Sequence, residues 1–371
     1  MRIAATREAG IGGERRVAIT PETVAQYTAA GLDVTVEPGA GEQAGHPDSA
    51  YKAAGATLGK VDLTKVDVLA HVSPIPVATA KKLKAGAVTV GLAAPGSDPA
   101  ATAALRDGKV TSFALELLPR ISRAQSMDAL TSQALVAGYR CVLEAAIRFP
   151  RFFPLYMTAA GTIPPAKALV LGAGVAGLQA IATAKRLGAK VSAYDVRAAS
   201  ADEVASMGGT FITLDLDAAA DAAGGYAKEL AADRTKRQQE LLAPHVADAD
   251  VIITTAAIPG RPAPLLITAE GVRNMAPGSV IVDLAAETGG NCELTQPGQT
   301  VVENGVKVIG TRNLPSEMPA PASQLYAKNL ENLLGLIVGE DGAVNVDFED
   351  DIIAAACITQ SGEIKNERAA K

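Results

Sequence analysis

The stretch ALVLGAGVAG, residues 168–177, decides the fold of this chain. Its first four residues are apolar and predict a buried strand, and the predicted helix Val175–Leu187 begins within the motif that follows. That motif is an intact G-x-G-x-x-G, made by Gly172, Ala173, Gly174, Val175, Ala176 and Gly177. In such a strand-turn-helix the first glycine allows the tight turn, the second lets a pyrophosphate approach the backbone, and the third lets the helix pack on the strand. The N–H groups at the helix start attract phosphates, so the stretch predicts a dinucleotide-binding turn.

An acidic residue follows the next predicted strand, Val191–Tyr194, as this kind of turn requires. Asp195 stands there, and a carboxylate in that place accepts hydrogen bonds from the adenosine ribose and repels a 2′-phosphate. The sequence therefore predicts NAD(H) rather than NADP(H). Arg197 is in reach of a 2′-phosphate, but it is interpreted as a surface arginine beside the loop. Val196 and Ala256 complete the predicted cofactor contacts.

Predicted strands and helices alternate along most of the 371 residues. This alternation predicts an α/β protein with two Rossmann-like, doubly wound domains, mainly parallel sheets and long connecting helices. We place the first α/β domain at residues 1–130 plus about 316–371, a connecting helix at 131–150, and the Rossmann NAD(H)-binding domain at 151–315. The tail beyond Ser316 is expected to return to the first domain.

Three local expectations can be checked against a structure. Val17–Ile19 is apolar and predicts a short strand just before Thr20, the expected N-cap of a helix that begins at Pro21. A long helix is predicted from Ser126 to Phe149, with Ser126 as its N-cap and Asp128 in its first turn. Residues 215–248 form a polar, alanine-rich insertion, which we interpret as functional or mobile.

Composition and charge argue against several classes of protein. The net charge of −6 does not suit a nucleic-acid binder, which needs a basic surface. The chain has no run of about 18 apolar residues to span a membrane, and its first residues carry no signal-peptide pattern. The three cysteines and three histidines are dispersed, with neither disulfide nor metal-ligand spacing. We therefore expect a cytosolic protein without a metal.

A second glycine-rich stretch, GAGEQAG at residues 39–45, almost repeats the motif. Its third glycine stands one place late, and Glu37 and Glu42 would repel a phosphate. Residues 46–48 also stop a helix from starting directly after it. We interpret the stretch as a loop, and predict one nucleotide site in the chain.

Four segments together resemble the alanine dehydrogenase and transhydrogenase superfamily, over nearly the whole chain. They are residues 14–21 (ERRVAITP), the glycine motif, residues 283–292, and residues 119–128 (PRISRAQSMD). The last closely resembles the nicotinamide-facing loop in the NAD(H)-binding component (domain I, the alpha subunit) of proton-translocating, Re/Si-specific NAD(P) transhydrogenases. The resemblance implies that Arg120, Gln125 and Asp128 surround the nicotinamide, with Thr131 where the family has serine. It also implies that Gly225-Tyr226-Ala227 belongs to a mobile loop in which Tyr226 contacts bound nucleotide.

The chemistry of the nicotinamide suits these side chains. Its carboxamide offers an N–H₂ donor and a C=O acceptor; Gln125 can bond to both, Asp128 can accept and Arg120 can donate. The alternative interpretation is a charged loop and helix cap with no ligand.

Missing acid–base residues separate the two enzymes of the superfamily. An alanine dehydrogenase must move protons on nitrogen and oxygen, which needs a general acid or base and cations for a carboxylate. No lysine stands between Val66 and Ala80, Gly91 takes the place of the family histidine, and only Arg16 remains. His71 is interpreted as a satisfied core residue. Hydride exchange between two nicotinamides changes only C–H bonds and needs positioning without a general base.

The resemblance therefore implies a transhydrogenase component that passes hydride between NADH and NADP⁺. NADP(H) would be held by a partner domain, because the chain has a single glycine motif. A membrane-embedded proton-channel domain, a homodimer and a peripheral place on the inner face of the plasma membrane are implied in the same way. Two alternatives stay open: an NAD-dependent oxidoreductase like alanine dehydrogenase, and an NAD(H)-binding sensor without redox chemistry.

Overall fold

The computed structural model describes residues 1–8, 10–215, 227–258, 261–339 and 342–369, with backbone only for 227–233. The chain forms two compact units, one of Met1–Gln133 with Pro315–Lys371 and one of Ala134–Leu314. No helix in the described ranges is long and apolar enough to cross a bilayer.

Strands and helices alternate through both units. The strands are β1 Arg2–Ala5, β2 Asp33–Val36, β3 Thr57–Leu58, β4 Val68–Ala70, β5 Val88–Gly91, β6 Thr111–Ala114, β7 Tyr156–Thr158, β8 Gly161–Ile163, β9 Lys167–Leu171, β10 Lys190–Tyr194, β11 Thr210–Phe211, β12 Val251–Thr254, β13 Val280–Asp283, β14 Thr300–Glu303, β15 Val306–Gly310, β16 Cys357–Gln360 and β17 Glu363–Ile364. The helices are α1 Pro21–Ala29, α2 Asp48–Ala53, α3 Val77–Ala80, α4 Pro99–Asp107, α5 Ala129–Arg148, α6 Val175–Arg186, α7 Ser200–Ser206, α8 Ala227–Asp248, α9 Ala269–Arg273, α10 Pro319–Ile337 and α11 Asp351–Ala356.

The first unit contains an eight-stranded sheet in the order β17-β16-β6-β5-β4-β1-β2-β3. Strands β1 to β6 are parallel, and β16 and β17 extend the sheet antiparallel at one edge. The order 3-2-1-4-5-6 is that of a doubly wound fold, whose strand order reverses between β1 and β4.

The second unit contains a seven-stranded sheet in the order β11-β10-β9-β12-β13-β15-β14. Only its edge strand β14 is antiparallel, and the order reverses between β9 and β12. The exposed strands β7 and β8 form a separate hairpin. Both units are thus doubly wound and mainly parallel, and the predicted fold class is confirmed.

The tail after the second unit packs in the core of the first. Tyr326 on α10 is fully buried; its hydroxyl donates to the carbonyl of His71 at 2.7 Å and accepts from the Leu92 N–H at 3.0 Å. Because these two residues directly follow β4 and β5, the tyrosine fixes the loops at the carboxyl ends of both strands.

The structure confirms some local expectations and corrects others. Thr20 caps α1 as predicted. Val17–Ile19 is buried but forms no strand. The long helix begins at Ala129, not Ser126, because the Asp128 carboxylate accepts the Thr131 N–H at 2.9 Å and so acts as the N-cap. Within the predicted insertion, α8 occupies the residues from Ala227 onwards.

Candidate functional site

The glycine turn between β9 and α6 has the geometry that the motif predicts. Gly172 has a φ of 103°, and a Cβ there would lie 2.7 Å from the Thr255 hydroxyl and 2.9 Å from the Ala256 nitrogen. A Cβ at Gly177 would lie 1.8 Å from the Gly172 carbonyl oxygen. Both positions therefore require glycine, and the turn packs tightly against the end of β12.

Gly174 differs from these two glycines because it faces open space. A Cβ there would meet no atom within 4 Å, although the residue is the N-cap of α6 and no side chain caps that helix. Uncapped N–H groups at a helix start, beside a residue without a side chain, suit a pyrophosphate. The residues present thus fit the phosphates of a dinucleotide.

Asp195 lies at the end of β10, beside the turn. Its carboxylate accepts the Ala173 N–H at 2.7 Å and the Arg197 N–H at 2.9 Å. Burial raises the pKa of this carboxyl, but bonds from the Arg197 side chain and from the two backbone N–H groups outweigh burial, so the pKa falls below its usual value. The group is ionised at neutral pH, as a ribose acceptor should be.

Arg197 is more than a surface arginine beside the loop. Its guanidinium pairs with Asp195, with Nε–Oδ1 at 3.0 Å and Nη2–Oδ2 at 3.2 Å. A guanidinium held on this carboxylate is not presented to a 2′-phosphate. Val196 is largely exposed. Tyr226 lies outside the described residues.

The carbonyl of Ala256 is held by a residue that the sequence analysis missed. Asn291 is fully buried, and its Nδ2 donates to the carbonyls of Ala256 and Pro264, both at 2.8 Å. The backbone N–H of Asn291 donates to the buried carboxylate of Asp283 at 2.7 Å. Both residues lie in the segment 283–292, whose resemblance to the superfamily was the only sequence signal.

The predicted nicotinamide-facing loop belongs to the first unit, and its four candidate residues fall into two pairs. Arg120 and Gln125 are exposed, and across the described ranges neither side chain has a hydrogen bond or ion pair. Asp128 and Thr131 bond to each other, because the Thr131 hydroxyl donates to the Asp128 carboxylate at 2.6 Å. The first pair is free for a ligand, while the second caps α5.

Residues far along the chain fix this loop. On α10, the Nδ2 groups of Asn329 and Asn332 donate to the Ser126 carbonyl at 2.8 and 3.0 Å. The Ser132 hydroxyl donates to Oδ1 of Asn329 at 2.6 Å, and Arg123 pairs with two carboxylates at the start of α11. The loop is therefore a rigid platform, which favours precise placement of whatever it binds.

Arg16 is buried and fully engaged within the first unit. Its Nε and Nη2 donate to the Glu14 carboxylate, both at 2.8 Å, and its Nη1 donates to Oε1 of Gln133 at 2.9 Å. Burial raises the pKa of Glu14, but Arg16 and a bond from Ser316 outweigh it and hold the pKa at about 2. The guanidinium is committed to this network rather than to a substrate carboxylate.

His71 is a core residue, as predicted. Its Nδ1 lies 2.8 Å from the Ser73 carbonyl and carries the hydrogen there, and burial lowers the pKa to about 4, so the ring is neutral. A Cβ at Gly91 would lie 2.2 Å from the His71 carbonyl oxygen and 2.6 Å from its Nδ1. A histidine at position 91 is therefore sterically excluded by the backbone of the neighbouring strand.

Comparison with known proteins agrees with this geometry. Sequence profiles of the N- and C-terminal domains of the alanine dehydrogenase/PNT family match residues 5–137 and 141–367. The chain is 50% identical over 366 residues to an NAD(P) transhydrogenase subunit alpha of Rhodospirillum rubrum, covering 95% of this chain and 94% of that relative. It is 29% identical to alanine dehydrogenase of Bacillus subtilis, covering 96% and 91%. A transhydrogenase crystal structure from Sinorhizobium meliloti matches with a TM-score of 0.88 and 42% identity, covering 98% of this chain and all of that one.

Proposed function

The chain belongs to the alanine dehydrogenase/PNT family, and from this premise we propose that it is the NAD(H)-binding component of a proton-translocating, Re/Si-specific NAD(P) transhydrogenase. The family consists of NAD(P)-dependent oxidoreductases, and kinship with it supports NAD(H) binding. The observation that carries the finer proposal is the state of the acid–base positions in the first unit.

Those positions supply no group for proton transfer. Arg16 is engaged by Glu14 and Gln133, His71 is buried and neutral, and Gly91 cannot be replaced by a histidine. Amino-acid oxidation would need such groups, whereas hydride transfer between nicotinamides would not. This contrast supports a transhydrogenase over an alanine dehydrogenase.

In the proposed reaction, bound NADH supplies a hydride from C4 of its dihydronicotinamide to C4 of NADP⁺ on a partner domain, leaving NAD⁺ and NADPH. Gln125 and Arg120 hold the carboxamide through their uncommitted donors and acceptor, and Asp128 with Thr131 fixes the start of α5 behind them. Tyr226 is proposed to contact bound nucleotide. The work of these residues is positioning, which lowers a barrier by removing motional freedom before the transfer.

The proposed partners follow from the same chemistry. The chain carries one glycine motif, so NADP(H) is assigned to a separate NADP(H)-binding domain, and proton movement to a membrane-embedded channel domain. Held by those partners, the chain is placed peripherally on the cytoplasmic face of the plasma membrane.

Hydride exchange tests the function directly. NADH and thionicotinamide NADP⁺ are mixed with the chain, with and without a transhydrogenase NADP(H)-binding domain, and the reduced thionicotinamide is followed by absorbance. We expect exchange only when both proteins are present. Oxidation of NADH by pyruvate and ammonia would instead establish an alanine dehydrogenase. NADH binding without either activity would establish the sensor.

A homodimer is proposed on the exposed apolar hairpin of the second unit. The side chains of Met157 on β7 and Ile147 on α5 are 74% and 72% exposed, and Phe152 and Tyr156 stack at 4.6 Å beside them. Contiguous apolar surface of this kind marks an association site.

Met157→Asp is therefore expected to convert the dimer into a monomer, because it places a charge in an apolar interface. Sedimentation velocity at micromolar concentration measures the change. Val302→Asp on the edge strand β14, where the valine is 61% exposed, is the matched control and should stay dimeric. A dimeric Met157→Asp protein would remove the hairpin from the interface.

A further inference from the structure

Each unit builds the same corner where its first two strands end, although only the second unit has the glycine motif. In the second unit, β9 and β10 end in register, with Leu171 opposite Tyr194, and the N–H two residues after β9 donates to the carboxylate that follows β10. In the first unit, β1 and β2 end in the same register, with Ala5 opposite Val36. There the N–H of Arg7, two residues after β1, donates to the carboxylate of Glu37, directly after β2, at 2.9 Å.

Glu37 thus occupies in the first unit the place that Asp195 occupies in the second. Both carboxylates are half-buried, and each accepts backbone N–H bonds while keeping lone pairs free. Glu37 takes only one further bond, from the Val61 N–H at 3.2 Å, and a carboxylate has about four acceptor positions. A carboxylate in this place of a doubly wound fold accepts ribose hydroxyls.

A cleft lies beside Glu37. It has a volume of about 610 Å³ and is lined by residues that follow the carboxyl ends of β1, β2, β3 and β4, including Thr6, Glu37, Val61 and His71. The strand order reverses between β1 and β4, and the crevice at such a reversal is where open α/β sheets bind ligands. Its volume is in the range of small-molecule sites.

The charges available in this cleft are cationic. Arg7, Lys60 and Lys82 line it, are exposed, and form no ion pair within the described ranges. Its acidic residues are committed: Asp62 pairs with Lys65 at 3.0 Å, and Glu8 accepts the N–H groups of Val72 and Ser73 at 2.8 and 2.7 Å. Burial also raises the pKa of Glu8 to about 7, so that group carries only part of a negative charge at neutral pH.

The connection from β1 to α1 excludes a pyrophosphate held by a glycine turn. Residues 6–20 contain no G-x-G-x-x-G, and the N-terminus of α1 is already capped by Thr20. Any phosphate in this cleft must be bound by side chains, which favours a ligand with a single phosphate over a dinucleotide.

We propose that this cleft binds a ribonucleoside monophosphate, with Glu37 accepting the ribose hydroxyls and Arg7, Lys60 and Lys82 neutralising the phosphate. The site is separate from the NAD(H) site of the second unit. It does not depend on the transhydrogenase assignment, and it adds a second nucleotide site to the single one that the sequence predicts.

Calorimetric titration of AMP into the full chain saturated with NADH tests the proposal. We expect one mole of AMP bound per chain under these conditions. Glu37→Gln should weaken that binding about tenfold or more, the loss of one charge-assisted hydrogen bond, and leave NADH affinity unchanged. Asp195→Asn should show the reverse pattern.

Lys60→Ala keeps the proposal testable if Glu37→Gln fails to fold, because Lys60 is exposed and holds no other residue among those described. It should weaken AMP binding, while Lys52→Ala, an exposed lysine on α2 away from the cleft, should not. Adenosine and inorganic phosphate, titrated separately, should each bind more weakly than AMP. The site is refuted by absence of AMP binding to the NADH-saturated chain, by full affinity in both cleft variants, or by phosphate binding as tightly as AMP.

Discussion

Gly174→Ala is expected to leave the chain folded and to weaken NADH binding about 100-fold. The new Cβ meets no protein atom within 4 Å, and the φ of −78° and ψ of −169° at this residue are open to alanine. The methyl group instead occupies the space that a pyrophosphate needs to reach the start of α6. Two charge-assisted hydrogen bonds at about 1.5 kcal/mol each correspond to that loss. Fluorescence titration with NADH and thermal unfolding measure the two properties.

Two other glycines serve as controls for this result. Gly177→Ala is expected to unfold or severely destabilise the second unit, because its Cβ would lie 1.8 Å from the Gly172 carbonyl oxygen. Gly335→Ala, inside α10 with nothing within 4 Å, should bind NADH normally and gain up to about 1 kcal/mol in stability. Unchanged NADH affinity in a folded Gly174→Ala protein would mean that the phosphates bind elsewhere.

Gln125→Ala is expected to lower the rate of hydride exchange about 100-fold while NADH affinity changes less than about threefold. The Gln125 amide is exposed and uncommitted, so its removal disturbs no bond within the described chain. It would lose only the orientation of the nicotinamide, and misplacement by about 1 Å costs a transfer reaction about 10²-fold. Stopped-flow exchange with the NADP(H)-binding domain gives the rate.

Ser122→Ala is the matched control for Gln125→Ala, since Ser122 is an exposed residue of the same loop without a side-chain bond among the described residues. It should exchange hydride at the normal rate. Asp128→Asn is expected to lose about 1 kcal/mol of stability as well as activity, because it weakens the cap of α5. A Gln125→Ala protein with normal exchange would leave the amide without a role in positioning.

The features of the site that depend on neighbouring residues in the chain could be predicted from the sequence. The turn from Gly172 to Gly177 needs only a strand before it and a helix after it, and both are indicated by the adjacent residues. Asp195 is likewise identified by its position directly after a strand. These features are local, so spacing and residue type are sufficient to find them.

The start of α5 could not be predicted in this way. Ser126 and Asp128 are both good N-cap residues, and local sequence does not choose between them. The choice is made by Asn329 and Asn332, which hold the Ser126 carbonyl from some 200 positions away and leave Asp128 to cap the helix. The same long-range contacts fix the loop on which Gln125 stands.

Apolar patterning also predicts burial more reliably than backbone form. Val17 is buried without a strand partner, and its N–H donates to the Ser323 hydroxyl on α10 at 3.0 Å. The sequence of α8 does not indicate a helix, because it is polar and contains Pro244. Only a few residues near its end, such as Leu242 and Val246, are buried.

The contact between Gly91 and His71 has an evolutionary consequence. The clash that excludes a side chain at position 91 involves the His71 carbonyl oxygen, so trimming the imidazole would not relieve it. A lineage carrying this arrangement could not regain a base at that position by one mutation, because the strand β4 would have to move first. Each intermediate on that path would be less stable, so selection would remove it. The contact acts as a ratchet that keeps descendants of this chain committed to chemistry without proton transfer.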